Sequence, residues 1–370
     1  MLKKLTPAAF VALLFIIPTL SFVFMPDEFL ENENRYRGQL PKLTLSSYKD
    51  ETFMTRFTKW YGDILFGRTE LIRFKNSVER FSGKTETGGV FDTGERLAQI
   101  WRDPDMRFAD KNIDAVNTFA AQTSTPVYVI LAPTSQEIYK DELPKHAEVT
   151  SQLDYIDYCY DKLSGATAVG VADTLLASKQ DYIYYRTDHH WTSLGAYLAY
   201  RDFAQQAGFV PTPIEQLNAE TAARDFRGTL YSKNLDTSIE PDEIDFYFAD
   251  NEPPLSLAAK DGDTNATADS LYFREFLSEK DKYAAFLGQN APLLEIDTGY
   301  TGGKLLLIKD SYANAFVPFV TRNFSHITVA DPRYFNLDYR LLFNPDDYDA
   351  VLFLYNVVSF SDDTGIIKLK

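Results

Sequence analysis

The chain of 370 residues carries 37 Lys and Arg against 53 Asp and Glu, a net charge of −16, which excludes a nucleic-acid or anionic-lipid surface as its main partner. Hydrophobic residues make up 45% and aromatics 15%, a composition that excludes disorder and suffices for a large core. The single cysteine, Cys159, excludes an internal disulfide framework and any multi-cysteine metal site, and reads as a small buried hydrophobe.

At the N-terminus Lys3 and Lys4 precede an uncharged run from Ala8 to Met25, and Asp27, Glu28, Glu31 and Glu33 follow it. The run is long enough to cross a bilayer with little to spare, and the basic flank places the first residues in the cytoplasm and the rest outside. The expectation is a signal-anchor over residues 1–25, with a cleaved signal peptide giving the same compartment. The protein is then membrane-anchored through residues 8–25 at the extracytoplasmic face (cell surface or periplasm), or secreted. Residues 26–44 are polar and turn-rich, as a tether would be. From Tyr48 to Phe81, Phe53, Phe57, Trp60 and Ile64 recur at helical steps. Residues 26–85 thus read as tether and N-terminal helical segment, with "SGKTETGG" (Ser82 to Gly89) as the linker into a main domain over 86–370.

That domain alternates buried strands with helices. Val127–Leu131, Ala166–Val171, Leu305–Ile308, Ile327–Val329 and Val351–Leu354 are short apolar runs bounded by polar or turn residues, as in a parallel sheet covered on both faces. Residues 210–300 interrupt the rhythm with an acidic, loop-rich stretch including "DGDTNATADS", which reads as an insertion.

Two segments carry chemistry. In "RTDHHWTSLGAYL" (Arg186 to Leu198), Asp188, His189, His190 and Trp191 are consecutive, two of only four histidines in the chain. Thr192 or Ser193 can cap the following helix and Gly208 can end it, so His190 sits ahead of a helix N-terminus, where α/β active sites gather. Packed histidines satisfied by a buried acid are the alternative. A metal site is disfavoured because adjacent residues point in different directions and ligands usually come from distant positions. In "KLLLIKDSYANAFVPF", the strand Leu305–Ile308 runs through a sharp turn at Ser311 into a helix, a geometry that exposes a nucleophilic hydroxyl, although without the GxSxG spacing. A simple helix cap also explains that serine. "NPDDYDAVLFLYN" ends a further strand at Asn356, whose amide is a candidate oxyanion donor.

Asp188-x-His190 with Ser311 and Asn356 resembles the SGNH (GDSL-like) hydrolase superfamily, and "DHHW" with "IKDSYANAFVPF" looks like the DHHW family, related to alginate O-acetyltransferase-like proteins. The resemblance runs from about residue 30 to the C-terminus. It implies an α/β fold, an SGNH-hydrolase-like three-layer α/β/α sandwich with a mostly parallel sheet. The acid and base precede the serine, so the motif order is circularly permuted. It also implies Ser311 as nucleophile, His190 as base and Asp188 as orienting acid, with His189 and Trp191 in support. Asn356, Arg333, Tyr312 and Lys309 are the oxyanion or substrate-binding candidates. After Val329 the chain reads Ala330-Asp331-Pro332-Arg333-Tyr334, without the glycine of the superfamily's second block. The implied activity is O-acetyl transfer to hydroxyls of a cell-surface or secreted polysaccharide, with a membrane-bound O-acyltransferase as donor partner and no cofactor or metal. A carbohydrate acetylesterase, or a non-catalytic glycan-binding or assembly protein on the same fold, are the alternatives.

Overall fold

The computed structural model describes residues 2–261, 264–335 and 337–370. Gly262 and Asp263, from the acidic stretch of the expected insertion, and Asn336 lie outside the described residues. The chain divides into two units, Met1–Gly88 with Tyr231–Ser238, and Gly89–Leu230 with Ile239–Lys370.

The first unit opens on the helix Leu2–Val23. No helix among the described residues is long and apolar enough to cross a membrane. The stretch read as a tether is tied down: Phe29–Leu30 pairs antiparallel with Arg35–Tyr36, and the buried Asp63 carboxylate accepts from Arg35 Nη2 at 2.7 Å and from the Gly38 N–H at 2.8 Å. The helical segment is three helices rather than one, Leu45–Lys49, Thr52–Asp63 and Arg68–Phe81. Left-handed backbone at Glu51 (φ 60°) and Gly67 (φ 70°) separates them, a conformation that ends an α-helix.

The second unit is built on an eight-stranded sheet: β1 (Val127–Ala132), β2 (Ala166–Ala168), β3 (Ser256–Asp261), β4 (Thr264–Ala268), β5 (Leu293–Asp297), β6 (Gly303–Lys309), β7 (Phe324–Ala330) and β8 (Ala350–Asn356). The spatial order is β4-β3-β5-β7-β6-β8-β1-β2. From β7 to β2 the pairing is parallel, and these five strands are the apolar runs visible in the sequence. Their side chains alternate between two cores. Leu305, Leu307, Ile327, Val329, Leu352 and Leu354 join one, with Phe203 and Phe316 from helices Ser193–Ala207 and Ala313–Val320. Leu306, Ile308, Val351 and Phe353 join the other, with Val116, Phe119 and Ile156 from helices Met106–Ala121 and Gln152–Asp161. Period-two alternation between two apolar layers is what a sheet covered on both faces requires.

The insertion is more ordered than a loop-rich stretch. Leu217–Phe226 and Asp242–Ala249 form an antiparallel hairpin, and β3, β4 and β5 extend the main sheet antiparallel from β7. Ile244 and Phe246, and Leu294 and Ile296, supply the alternating buried positions that hold these strands. β6, β8 and β1 end together at one carboxyl edge, and the loops leaving that edge carry the candidate site.

Candidate active site

The DHHW segment is held as a tight reversal. Tyr184 and Trp191 form an antiparallel bridge, the Tyr185 N–H donates to the His190 carbonyl at 3.3 Å and the Thr192 N–H to the Ile183 carbonyl at 2.9 Å. The buried Asp242 carboxylate, from the hairpin, accepts from the Arg186 N–H at 2.6 Å and the Thr187 N–H at 2.8 Å. Thr192 caps the helix Ser193–Ala207, and Gly208 ends it at φ 80°.

Inside this reversal Asp188 is fully engaged. Its Oδ1 lies 2.6 Å from His190 Nδ1 and accepts from the His190 N–H at 3.0 Å. Its Oδ2 accepts from the Thr229 N–H at 2.7 Å and the Thr229 hydroxyl at 3.0 Å. Burial alone would raise this carboxyl, but the imidazoles of His189 and His190 and those hydrogen bonds hold it well below the usual carboxylate range. An ionised Asp188 fixes the proton of His190 on Nδ1, which leaves the Nε2 lone pair free to accept. His190 Nε2 lies 2.7 Å from Ser311 Oγ. Serine, imidazole and carboxylate therefore form one continuous chain from two separate segments, the geometry of an activated nucleophile.

Ser311 follows β6 in a turn fixed by Asp310. The Asp310 N–H donates to the Leu354 carbonyl at 3.1 Å, and its carboxylate accepts from the Tyr312 N–H at 2.8 Å and from Asn356 through both the backbone N–H at 2.8 Å and Nδ2 at 2.6 Å. Burial raises the Asp310 carboxyl, and the donors of Asn356 and Tyr312 oppose it. Ser311 itself is half-buried. It stands just before the helix Ala313–Val320, and no acceptor for its N–H is found among the described residues. An uncommitted N–H at a helix start, on the nucleophile itself, is an available oxyanion donor.

The structure places the remaining candidates differently. Asn356 is not at the oxyanion position: both of its Nδ2 bonds go inward, to Asp310 and to Ser359 Oγ at 2.8 Å. Lys309 is buried, its ammonium on Asn314 Oδ1 at 2.7 Å and 3.7 Å from Asp331. Arg333 is paired with that same Asp331 at 2.6 Å. Tyr312 is buried and holds the two halves of the site together, its hydroxyl donating to the His189 carbonyl while its own carbonyl accepts from Trp191 Nε1 at 2.9 Å. All four are thus engaged in bonds within the protein. His189 Nδ1 pairs with Thr229 Oγ1 at 2.7 Å, and its ring lies 3.9 Å from that of His190. Asp188, His189 and His190 offer ligand atoms within 4.8 Å of one another. A cation that took His190 as a ligand would have to displace its Asp188 or its Ser311 bond, since both His190 nitrogens are engaged.

Sequence reasoning missed Thr229 and Tyr283. The Tyr283 ring stacks on His190 at 3.7 Å and 8° between planes, and its hydroxyl donates to the Ser311 carbonyl at 3.0 Å. It also missed Gly228, at which a Cβ would stand 2.2 Å from Asp188 Oδ2.

The model of the family described as "DHHW protein" matches residues 88–330. No curated protein sequence matches the chain. A DHHW family protein from Eubacterium siraeum DSM 15702 shares the fold at a TM-score of 0.66 and 27% identity, over 76% of this chain and 95% of that one. PatB1 of Bacillus cereus, solved with a sulfonyl adduct, shares it at a TM-score of 0.64 and 20% identity, over 76% and 98%. On the span of that match, and on the DHHW motif at its centre, the chain belongs to the DHHW family.

Proposed function

We propose that the protein transfers an acyl group, through an acyl-serine on Ser311, to hydroxyls of a polysaccharide outside the cytoplasm. The observation that carries this reading is the unbroken chain from Ser311 Oγ through His190 to Asp188, at 2.7 and 2.6 Å. His190 Nε2 takes the Ser311 proton as Oγ attacks the acyl carbonyl, and Asp188 stabilises the resulting imidazolium. The oxyanion is met by the Ser311 N–H at the helix start, a contribution of a few kcal/mol per donor. Collapse expels the leaving alcohol with the proton from His190. A sugar hydroxyl then gives its proton to His190, attacks the acyl-serine and regenerates Ser311. Water in its place makes the same site an esterase. An acyl donor outside the cytoplasm needs delivery across the membrane, the role proposed for a membrane-bound O-acyltransferase partner, and the apolar run Ala8–Met25 is the proposed anchor.

The test is hydrolysis of p-nitrophenyl acetate by the full-length chain, by Ser311→Ala and by His190→Ala, with mass spectrometry for an acetyl group on Ser311. Nitrophenol release and Ser311 acetylation that vanish in both variants support the reading. Equal release from all three proteins, without an acetylated serine, overturns it in favour of a non-catalytic glycan-binding or assembly role.

A further inference from the structure

A recess lies among the chain segments that follow β1 and precede the DHHW motif. β1 stands two places from β6 in the sheet, which sets the loop after β1 about 10 Å along the edge from the nucleophile's strand. Tyr139 and Glu142, from that loop, line the recess together with Tyr182 and Arg186. Arg186 is two residues ahead of Asp188, so the recess and the acid share one segment of chain.

The polar groups of this recess are incompletely satisfied. The Arg96 guanidinium lies over the Tyr139 ring at 3.5 Å, and its Nε donates to Glu142 at 2.8 Å. Beyond the contact between the Arg96 side chain and the Tyr139 hydroxyl, the buried Arg96 Nη1 and that hydroxyl have no hydrogen-bond partner, a costly state that a ligand or water relieves. The Arg186 guanidinium lies over the Tyr182 ring at 4.6 Å and makes no ion pair among the described residues.

The charges around these groups specify a ligand class. Arg96 is balanced by Glu142 and Lys179 by Asp141, while Glu95 and Asp181 line the recess as exposed rim residues. An anion would meet those rim carboxylates. An apolar ligand would find both tyrosine rings already covered by guanidinia. Donors and acceptors in nearly neutral alternation suit hydroxyl groups, which both donate and accept.

We infer that this recess binds an uncharged sugar unit of the acceptor chain and so directs a neighbouring unit toward Ser311. The inference rests on the acyl-transfer reading for its purpose, and its test does not. The full-length chain is titrated calorimetrically with cellotetraose and chitotetraose as uncharged probes and with tetragalacturonate as the anionic one. An uncharged tetrasaccharide binds, Arg186→Gln weakens it about tenfold and Tyr139→Phe about threefold. Melting curves on the Tyr139 variant separate a loss of binding from a loss of fold. Ser311→Ala, which ends the acyl chemistry, still binds the probe. Binding that neither variant weakens, tighter binding of tetragalacturonate, or no binding of either uncharged probe overturns the inference. Saccharide binding lost in the Arg186 variant, with no Ser311-dependent nitrophenol release, sinks the acyl-transfer reading and leaves the sugar site standing.

Discussion

The ring of Tyr283 lies flat on the imidazole of His190, 3.7 Å between centroids and 8° from parallel, while its hydroxyl reaches the Ser311 carbonyl. One side chain from the insertion thus covers the base and steadies the turn of the nucleophile. Tyr283→Phe keeps the stack and removes one hydrogen bond, so kcat for p-nitrophenyl acetate falls about fivefold. Tyr283→Leu removes the ring contact as well and falls further. Melting curves on both variants separate this from a loss of fold. A Leu variant as active as the Phe variant would show that the stack contributes nothing.

Asp188→Asn tests the acid. An amide cannot hold the His190 proton on Nδ1 as an ionised carboxylate does, so hydrolysis falls by on the order of 10²- to 10⁴-fold at neutral pH.

The same residue governs an acid limb of stability. Its folded carboxyl is held below the ordinary range, and its unfolded value is near the ordinary ~3.9. A depressed folded value means that the contribution is fully present above about pH 4 and is lost as pH falls below it. The difference in urea midpoint between wild type and Asp188→Asn is therefore flat above about pH 5 and shrinks below about pH 4. A difference that grows on acidification would contradict the assigned ionisation.

The central strands were legible because Val127–Ala132, Gly303–Lys309 and Ala350–Asn356 are apolar on both faces, a pattern that only a doubly covered sheet rewards. Asp188, His190 and Ser311 were legible because an acid two residues from a base, and a serine at a strand-to-helix turn, are local signals. Asn356 was misread for a physical reason. Its place at the edge was visible, but its partner Asp310 is 46 residues away, and no local pattern reveals which way an amide points. Tyr283 and Thr229 belong to the insertion, where no motif marks them; the only trace of Thr229 is the glycine before it, which admits the Asp188 carboxylate.

The corrected role of Asn356 separates two outcomes. As an oxyanion donor, its loss would lower kcat and leave stability unchanged. As the amide that fills Asp310 Oδ2, its loss leaves a buried carboxylate short of a donor, which costs about 1–3 kcal/mol. Asn356→Ala therefore lowers the urea midpoint, and activity falls along with it because Asp310 holds the Ser311 turn. A variant of wild-type stability with a hundredfold lower kcat would restore the oxyanion role.

Gly228→Ala tests how tightly the acid is enclosed. The added Cβ would lie 2.2 Å from Asp188 Oδ2, 2.3 Å from its Cβ and 2.6 Å from its Cγ. Every one of these contacts is shorter than van der Waals distance, so something has to move. Asp188 cannot swing aside without releasing His190 and Thr229, and Gly228 cannot withdraw without carrying the Thr229 N–H with it. Either path breaks the orientation of the base. A displacement near 1 Å at a reacting centre costs about 10²-fold, so Gly228→Ala loses about a hundredfold in nitrophenol release while its far-ultraviolet spectrum stays native. Gly170→Ala is the control, since nothing stands within 4 Å of its added Cβ; that variant keeps wild-type activity. Equal activity in the two alanine variants would mean that the turn carrying Gly228 yields freely, and that Asp188 does not depend on the Thr229 bonds for its position.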